Sequence, residues 1–240
     1  MGTSRRYYPP SSSSWPEAKA GLSRLVASND LGALPELVGR FTGLVLNAAE
    51  PLGSRNAGVV AHAVQSVGGF IQSLQDHERD RAGIWTSIGI NPGMSLYEID
   101  RALVDALVPV ANTRVDVAAR QALLELLHEL LDPSSVEAPL YSLEERLTAE
   151  SIETILHKYI AYFVYELFLG DFSEILLNRY SADVVNSTCR KARDYIMASV
   201  DQMPGGREFN ELDWMSGEGL AVANQLVKEV WWVLEGGPLP

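Results

Sequence analysis

Residues 150–170 read ESIETILHKYIAYFVYELFLG, and this stretch decides the fold. Ile152, Ile155, Leu156, Tyr159, Ile160, Phe163, Val164, Leu167 and Phe168 recur at the i, i+3, i+4, i+7, i+8 spacing of an α-helix. Tyr162, Tyr165 and Leu169 widen the stripe until little of the circumference is polar. A helix apolar on nearly every side must be packed on several sides, so the stretch predicts a central helix surrounded by others. Thr148 is the candidate cap, Glu150 and Glu153 suit the positive end of the helix dipole, and Gly170 is placed to end the helix.

Working outward, the same period recurs. On the C-terminal side, Phe172–Asn178 predicts a short helix. Ser181 opens a longer one that ends at Pro204-Gly205-Gly206, with Val184, Val185, Cys189, Ala192, Ile196, Val200 and Met203 inward. A last helix from Glu218 to Leu234 stops at Gly236-Gly237. On the N-terminal side, Ser142–Glu145 offers a box for a short helix, and Thr113–Asp116 starts a helix through Leu131 that Asp132-Pro133 ends. Ser95-Leu96-Tyr97-Glu98 is a capping box for a helix that stops before Pro109. Gly83, Gly89, Pro92 and Gly93 mark a connection, and the charge run Gln75–Arg81 reads as a solvated helix end or loop.

Further back, residues 56–75 carry a stripe of Val60, Ala63, Val64, Val67, Phe70, Ile71 and Leu74 in a Gly/Ala-rich helix. Gly68-Gly69 costs that helix roughly 1 kcal/mol per glycine unless the small residues admit a close neighbour. Leu34, Leu37, Val38, Phe41, Leu44 and Val45 share one face, with Pro35 in a first turn and Pro51 beyond the end. The opening MGTSRRYYPPSSSSWP is rich in serine, proline and charge and reads as a tail. No run alternates like a strand and no repeat of fixed period is visible. The expectation is an all-α, multi-helix bundle-like domain with a flexible N-terminal tail. Its divisions are a disordered Ser/Pro-rich tail over 1–16, a Gly/Ala-rich N-terminal helical section over 17–82, and a main helical domain over 95–236.

Composition narrows the function classes. Of 240 residues, 47% are hydrophobic, enough for a sizeable core, and 19 basic against 31 acidic side chains leave a net charge of −12. Such a field repels phosphate, so direct nucleic-acid binding by the folded body is not expected. No apolar run approaches the ~18–20 residues of a membrane span. Arg5-Arg6 is followed by Tyr7-Tyr8-Pro9-Pro10 and serines where a signal peptide needs an apolar run. Arg6 stands where an N-myristoylation motif needs Ser or Thr. A single cysteine, Cys189, forms no intramolecular disulfide and fits a reducing compartment. These features predict a soluble cytoplasmic protein with no membrane contact.

No complete catalytic constellation is legible. Glu125-Leu-Leu-His128 has the i, i+3 spacing of a carboxylate-bridged di-metal site, but no second copy exists. Glu153 and His157 are four apart and also lack a full ligand set. Both histidines therefore read as surface or boundary residues near acidic partners, with no metal, no cofactor and no enzymatic activity expected. His77-Glu78-Arg79-Asp80 lacks the second histidine of a zinc-protease motif, and no phosphate loop or nucleophile elbow appears. Cys189 lies on a buried stripe and reads as a packed thiol. Trp231 and Trp232 are adjacent on a helix and cannot both face one core, which makes them candidates for partner recognition.

The start Met1-Gly2-Thr3-Ser4 points to chemistry of another kind. Removal of Met1 ahead of the small Gly2 leaves a free α-amine with a pKa near ~7.7–8.0, partly neutral at cytoplasmic pH and nucleophilic toward an activated acyl or nitrile-derived group. This start, the Ser/Pro-rich tail, the Gly/Ala-rich helical stretch and the long apolar run ETILHKYIAYFVYELF together resemble the B component of the Qat anti-phage defence system. Arg5-Arg6-Tyr7-Tyr8 departs from that family's expected Gly/Ser-rich start in being bulkier and more basic.

The resemblance implies a non-catalytic subunit that acts beside an ATPase, a QueC-like enzyme and a TatD-like nuclease. It also implies that Gly2 is the residue to which the QueC-like partner attaches a 7-deazaguanine-type group, with Thr3 and Ser4 as recognition context. The alternatives are a helical adaptor with an incidental tail, and a metal-dependent helical enzyme.

Overall fold

A computed structural model of the chain describes residues 14–28, 31–46, 51–108, 113–131, 139–207, 209 and 212–239. The described residues form α1 (Ser14–Ser28), α2 (Leu34–Leu46), α3 (Pro51–Asp76), α4 (Arg81–Ser87), α5 (Leu96–Leu107) and α6 (Arg114–Leu130). They continue with α7 (Pro139–Ala149), α8 (Ile152–Leu177), α9 (Ala182–Val200) and α10 (Gly217–Leu234). Short 3₁₀ turns lie at Leu31–Ala33 and Glu78–Asp80, and no strand occurs among the described residues. The flexible-tail expectation for residues 1–13 lies outside the described residues, whereas residues 14–16 already belong to α1.

The predicted central helix is α8. It packs against α6 and α9 on its flanks and against α2, α3 and α10 elsewhere on its circumference. Ile155, Leu156, Tyr159, Ile160, Phe163, Val164 and Phe168 are fully buried. Each such side chain contributes about 1.5–3 kcal/mol on leaving water. The Phe41 ring of α2 meets Phe168 edge-on at 5.5 Å, and Phe168 meets Phe172 at 4.8 Å. The Tyr159 hydroxyl, the one polar atom of that side chain, donates to the Ala119 carbonyl of α6 at 3.1 Å. One continuous apolar core runs from Ala18 in α1 to Leu234 at the end of α10.

The helix ends differ from expectation in instructive ways. Thr148 does not cap α8. It lies within α7, where its hydroxyl donates to the Glu144 carbonyl at 2.9 Å, and Ser151 accepts the Thr154 N–H at 3.2 Å instead. Helix α7 begins at Pro139, which has no N–H to leave unpaired in a first turn, so Ser142 is interior. Gly170 does not end α8 either. The helix runs on to Leu177 because Phe172 and Leu176 keep the buried period, and a Cβ at residue 170 would lie 3.1 Å from Arg114 Nε. The boxes at Ser95–Glu98 and Thr113–Asp116 both form in full. Ser181 occupies the cap position of α9 with no side-chain cap bond.

Helix α3 starts at Pro51, earlier than the stripe implied, and passes unbroken through Gly68-Gly69. Trp214 is the reason. A Cβ at Gly68 would stand 2.7 Å from its indole, and one at Gly69 would stand 3.2 Å from its Cβ. The glycine pair is thus a slot for a large ring that is 2% exposed. Gln72 donates to the Phe209 carbonyl at 3.0 Å and Gln65 to the Ser216 carbonyl at 2.9 Å. The segment between α9 and α10 is in this way laid across α3. The charge run after α3 is solvated at His77–Asp80. The connection beyond it is anchored by buried Trp85, whose indole donates to Glu144 at 2.7 Å, and by buried Ile90.

Two glycines of α3 therefore separate propensity from packing. A methyl added at Gly58 would meet nothing within 4 Å, so Gly58→Ala is expected to raise stability by about 0.5–1 kcal/mol. Gly68→Ala gains the same propensity yet drives the methyl into Trp214, and a net loss of about 1–2 kcal/mol is expected. Urea denaturation followed by tryptophan fluorescence reads both.

Candidate functional site

A largely buried polar cluster forms at the N-terminal end of α8. Glu153 and His157 lie one turn apart on one helix face. Helix α10 brings Glu229 to them, and the extended residues after α9 bring Arg207. One ligand atom from each of Glu153, His157 and Glu229 lies within 4.8 Å of the others. The Arg207 backbone N–H donates to Glu153 Oε2 at 2.7 Å and its Nε to Glu153 Oε1. Its two terminal nitrogens form a fork on Glu229, with Nη1 at 3.1 Å from Oε1. Gln225 donates to the same Glu229 Oε1 at 2.9 Å. His157 Nε2 sits 3.8 Å from Glu229 Oε2, is buried, and makes no hydrogen bond.

Burial sets the electrostatics. The side chains of Glu153 and His157 are 2% and 4% exposed, whereas that of Arg207 is 46% exposed. Desolvation pulls the His157 pKa below its ordinary value, against the opposing attraction of the two carboxylates, so the ring is held neutral. Burial pushes the Glu229 carboxyl up, but hydrogen bonds from Arg207 and Gln225 outweigh it and leave the group lowered. The cluster as it stands is a forked ion pair that ties the post-α9 segment to α8 and α10. Its donor set, one imidazole and two carboxylates, is also one that a divalent metal accepts.

A second polar seam lies between α6, α8 and α9. Arg193 donates to Glu125 Oε2 at 2.9 Å and stands over the rings of Tyr162 and Tyr165, 5.4 and 6.0 Å from their centroids. Lys158 Nζ is 2.9 Å from Glu129, which also accepts from the Tyr162 hydroxyl. Glu166 is pushed up to about 7, first by burial and then by the nearby Glu125 carboxylate.

Of the two pairs whose spacing suggested metal ligands, Glu153 and His157 are brought together, whereas Glu125 and His128 are not. Glu125 faces Arg193, while His128 turns to Asp100 of α5 at 3.1 Å. Both histidines do stand beside acidic partners, but His157 is buried, not at the surface. Trp231 is half-buried against the core, and its indole nitrogen is buried without a hydrogen-bond partner. Trp232 is 51% exposed, and its indole donates to the Pro238 carbonyl at 3.2 Å. Cys189 is buried, which pushes its thiol up. Gly2, Thr3 and Ser4 lie outside the described residues. Sequence reasoning paired Glu153 with His157 but missed Arg207 and Glu229. Arg207 is 54 residues from Glu153, on a segment with no periodic signal.

The two titrating groups set opposite slopes of stability with pH. His157 has a folded pKa below its ordinary 6.5, so its contribution is present above 6.5 and is lost as pH falls below that value. Glu166 has a folded pKa raised from 4.5 to about 7, so its contribution is present below 4.5 and is lost as pH rises toward 7. His157→Gln is expected to remove the acid-side decline. Glu166→Gln is expected to raise stability at pH 8 by on the order of 1 kcal/mol, after discounting for solvent screening. Urea midpoints measured from pH 5 to 8 check both.

No helix among the described residues is long and apolar enough to cross a membrane. Residues 53–234 match the family model described as Qat anti-phage system associated protein QatB. No curated protein and no solved structure matches the chain.

Proposed function

The chain belongs to the QatB family, a component of the Qat anti-phage system, and we propose that it serves there as a non-catalytic cytoplasmic subunit whose Gly2 is covalently modified by a QueC-like partner. The family match carries the assignment to the system. It covers the helical body from α3 to the end of α10 and stops short of the N-terminus. The role of Gly2 is supported by the start Met1-Gly2-Thr3-Ser4, placed ahead of the first described helix at Ser14.

In the proposed reaction the Gly2 amine attacks an activated 7-deazaguanine-type acyl group held by the partner. A C–N bond forms, the activating group leaves with its electron pair, and the nitrogen loses a proton. Thr3 and Ser4 supply the recognition context. An ATPase and a TatD-like nuclease of the same system complete the proposed set of partners. A second reading, a helical adaptor with an incidental tail, is favoured by one observation, the exposed Trp232 at the end of α10.

Co-expression with the QueC-like partner, followed by intact-mass analysis, separates the readings. The expected result is a mass increase confined to the N-terminal peptide and abolished by Gly2→Pro, which removes the primary amine. An unshifted N-terminal peptide from cells with active defence would overturn the proposal. Full defence by a chain lacking residues 2–14 would favour the adaptor.

A further inference from the structure

We propose that Glu153, His157 and Glu229 form a binding site for one divalent first-row metal ion, such as zinc or manganese, and that Arg207 is its displaceable internal cation. Two helices, α8 and α10, hold the three side chains with their ligand atoms within 4.8 Å of one another. Metal–ligand bonds of about 2.0–2.2 Å require the three atoms to close further by side-chain adjustment around a common centre.

Three observations on the cluster point to a cation of higher charge than the guanidinium. The first is His157. Its Nε2 is buried, lies nearest Glu229, and makes no hydrogen bond. A buried polar nitrogen left without a partner is costly, and none of the Arg207 guanidinium nitrogens, which are all taken up by Glu153 and Glu229, bonds it. A metal ion centred among the three ligands does. The second is charge. Two carboxylates against one guanidinium leave a residual −1 in a site where the Glu153 side chain is 2% exposed. A divalent ion on the same three ligands brings the sum to zero.

The third observation is the unequal anchoring of the members. Glu153, His157 and Glu229 stand on helices in the core, whereas Arg207 follows Pro204-Gly205-Gly206 in a non-helical segment. Gly206 has a φ of +108°, a conformation that favours glycine. The Arg207 side chain is already 46% exposed. It can swing out and regain full hydration, whereas the carboxylates on α8 and α10 are held in place by their helices. The metal would therefore exchange with Arg207, and the segment that Arg207 pins to α8 and α10 would lose that tie.

Arg207→Gln in the full-length chain tests the exchange. Without metal, this variant leaves Glu153 buried and uncompensated, and its melting temperature should fall below wild type in chelator. Dialysis against zinc or manganese, followed by elemental analysis, should show one metal per chain bound at least about tenfold more tightly than in wild type, because the competing cation is gone. The same metal should raise the melting temperature of the variant. Arg207→Gln combined with His157→Gln should show neither effect, which separates this site from the exposed histidines at 62, 77 and 128. Metal uptake by the double variant equal to that of Arg207→Gln would overturn the proposal. So would an Arg207→Gln chain that stays unfolded, or no more stable, with metal present, since the metal would then have failed to replace the guanidinium.

Discussion

The apolar circumference of α8 is the constraint from which the rest of the structure follows. A helix with an aliphatic or aromatic residue on almost every side is unfavourable in water unless other helices close round it, and α2, α3, α6, α9 and α10 do so. The same enclosure dictates where polar chemistry can sit. Tyr159, Glu153, His157, Lys158 and Glu166 all ride on the wrapped helix, and each is partly or wholly stripped of water. Each must be answered by a neighbouring element or remain a cost. Tyr159 is answered by the Ala119 carbonyl, Lys158 by Glu129, and Glu153 by Arg207. The polar clusters are consequences of the packing, placed at the two seams where charged side chains from other elements can reach α8.

Those clusters resolve the same problem to different degrees. Near the start of α8, a guanidinium forks onto both carboxylates, and the imidazole nitrogen goes without a bond. Midway along, Glu166 has Glu125 for a neighbour and shares Arg193 with it, so its proton is retained toward neutral pH. A buried ion pair is weak support for stability in itself, because the Coulomb gain is set against two desolvation costs. Its use here is positional. Arg207 fixes the segment between α9 and α10, and that segment in turn delivers Trp214 to the glycine slot of α3. Charge pairing and ring packing thus secure the same crossing from its two ends.

Much of this was legible in the sequence, and the boundary of legibility is physical. Period-3.6 patterning revealed α8, and reciprocal capping boxes located α5 and α6, because both signals are local. The close packing demanded by Gly68-Gly69 was also legible, but not that Trp214 supplies it, since nothing in the pair identifies a residue so far along the chain. The end of α8 was misplaced at Gly170 for a related reason. Glycine reads as a terminator from sequence, whereas here it makes room for Arg114 beside a helix whose burial continues to Leu176. The site followed the same rule. Glu153 and His157, one turn apart, could be paired by counting, while Glu229 and Arg207 meet them through tertiary packing alone.

The distribution of reactive groups bears on how such a body would take part in covalent chemistry. Among the described residues, many of the strongest donors and acceptors are engaged with one another: Arg193 with Glu125, His128 with Asp100, Arg207 with Glu153 and Glu229. The lone thiol is buried and held in its protonated form. In each of these pairs, freeing one group would leave its partner without the opposite charge. The α-amine proposed as the acceptor belongs to no side chain of that core. Its reactivity depends on its own pKa and on access.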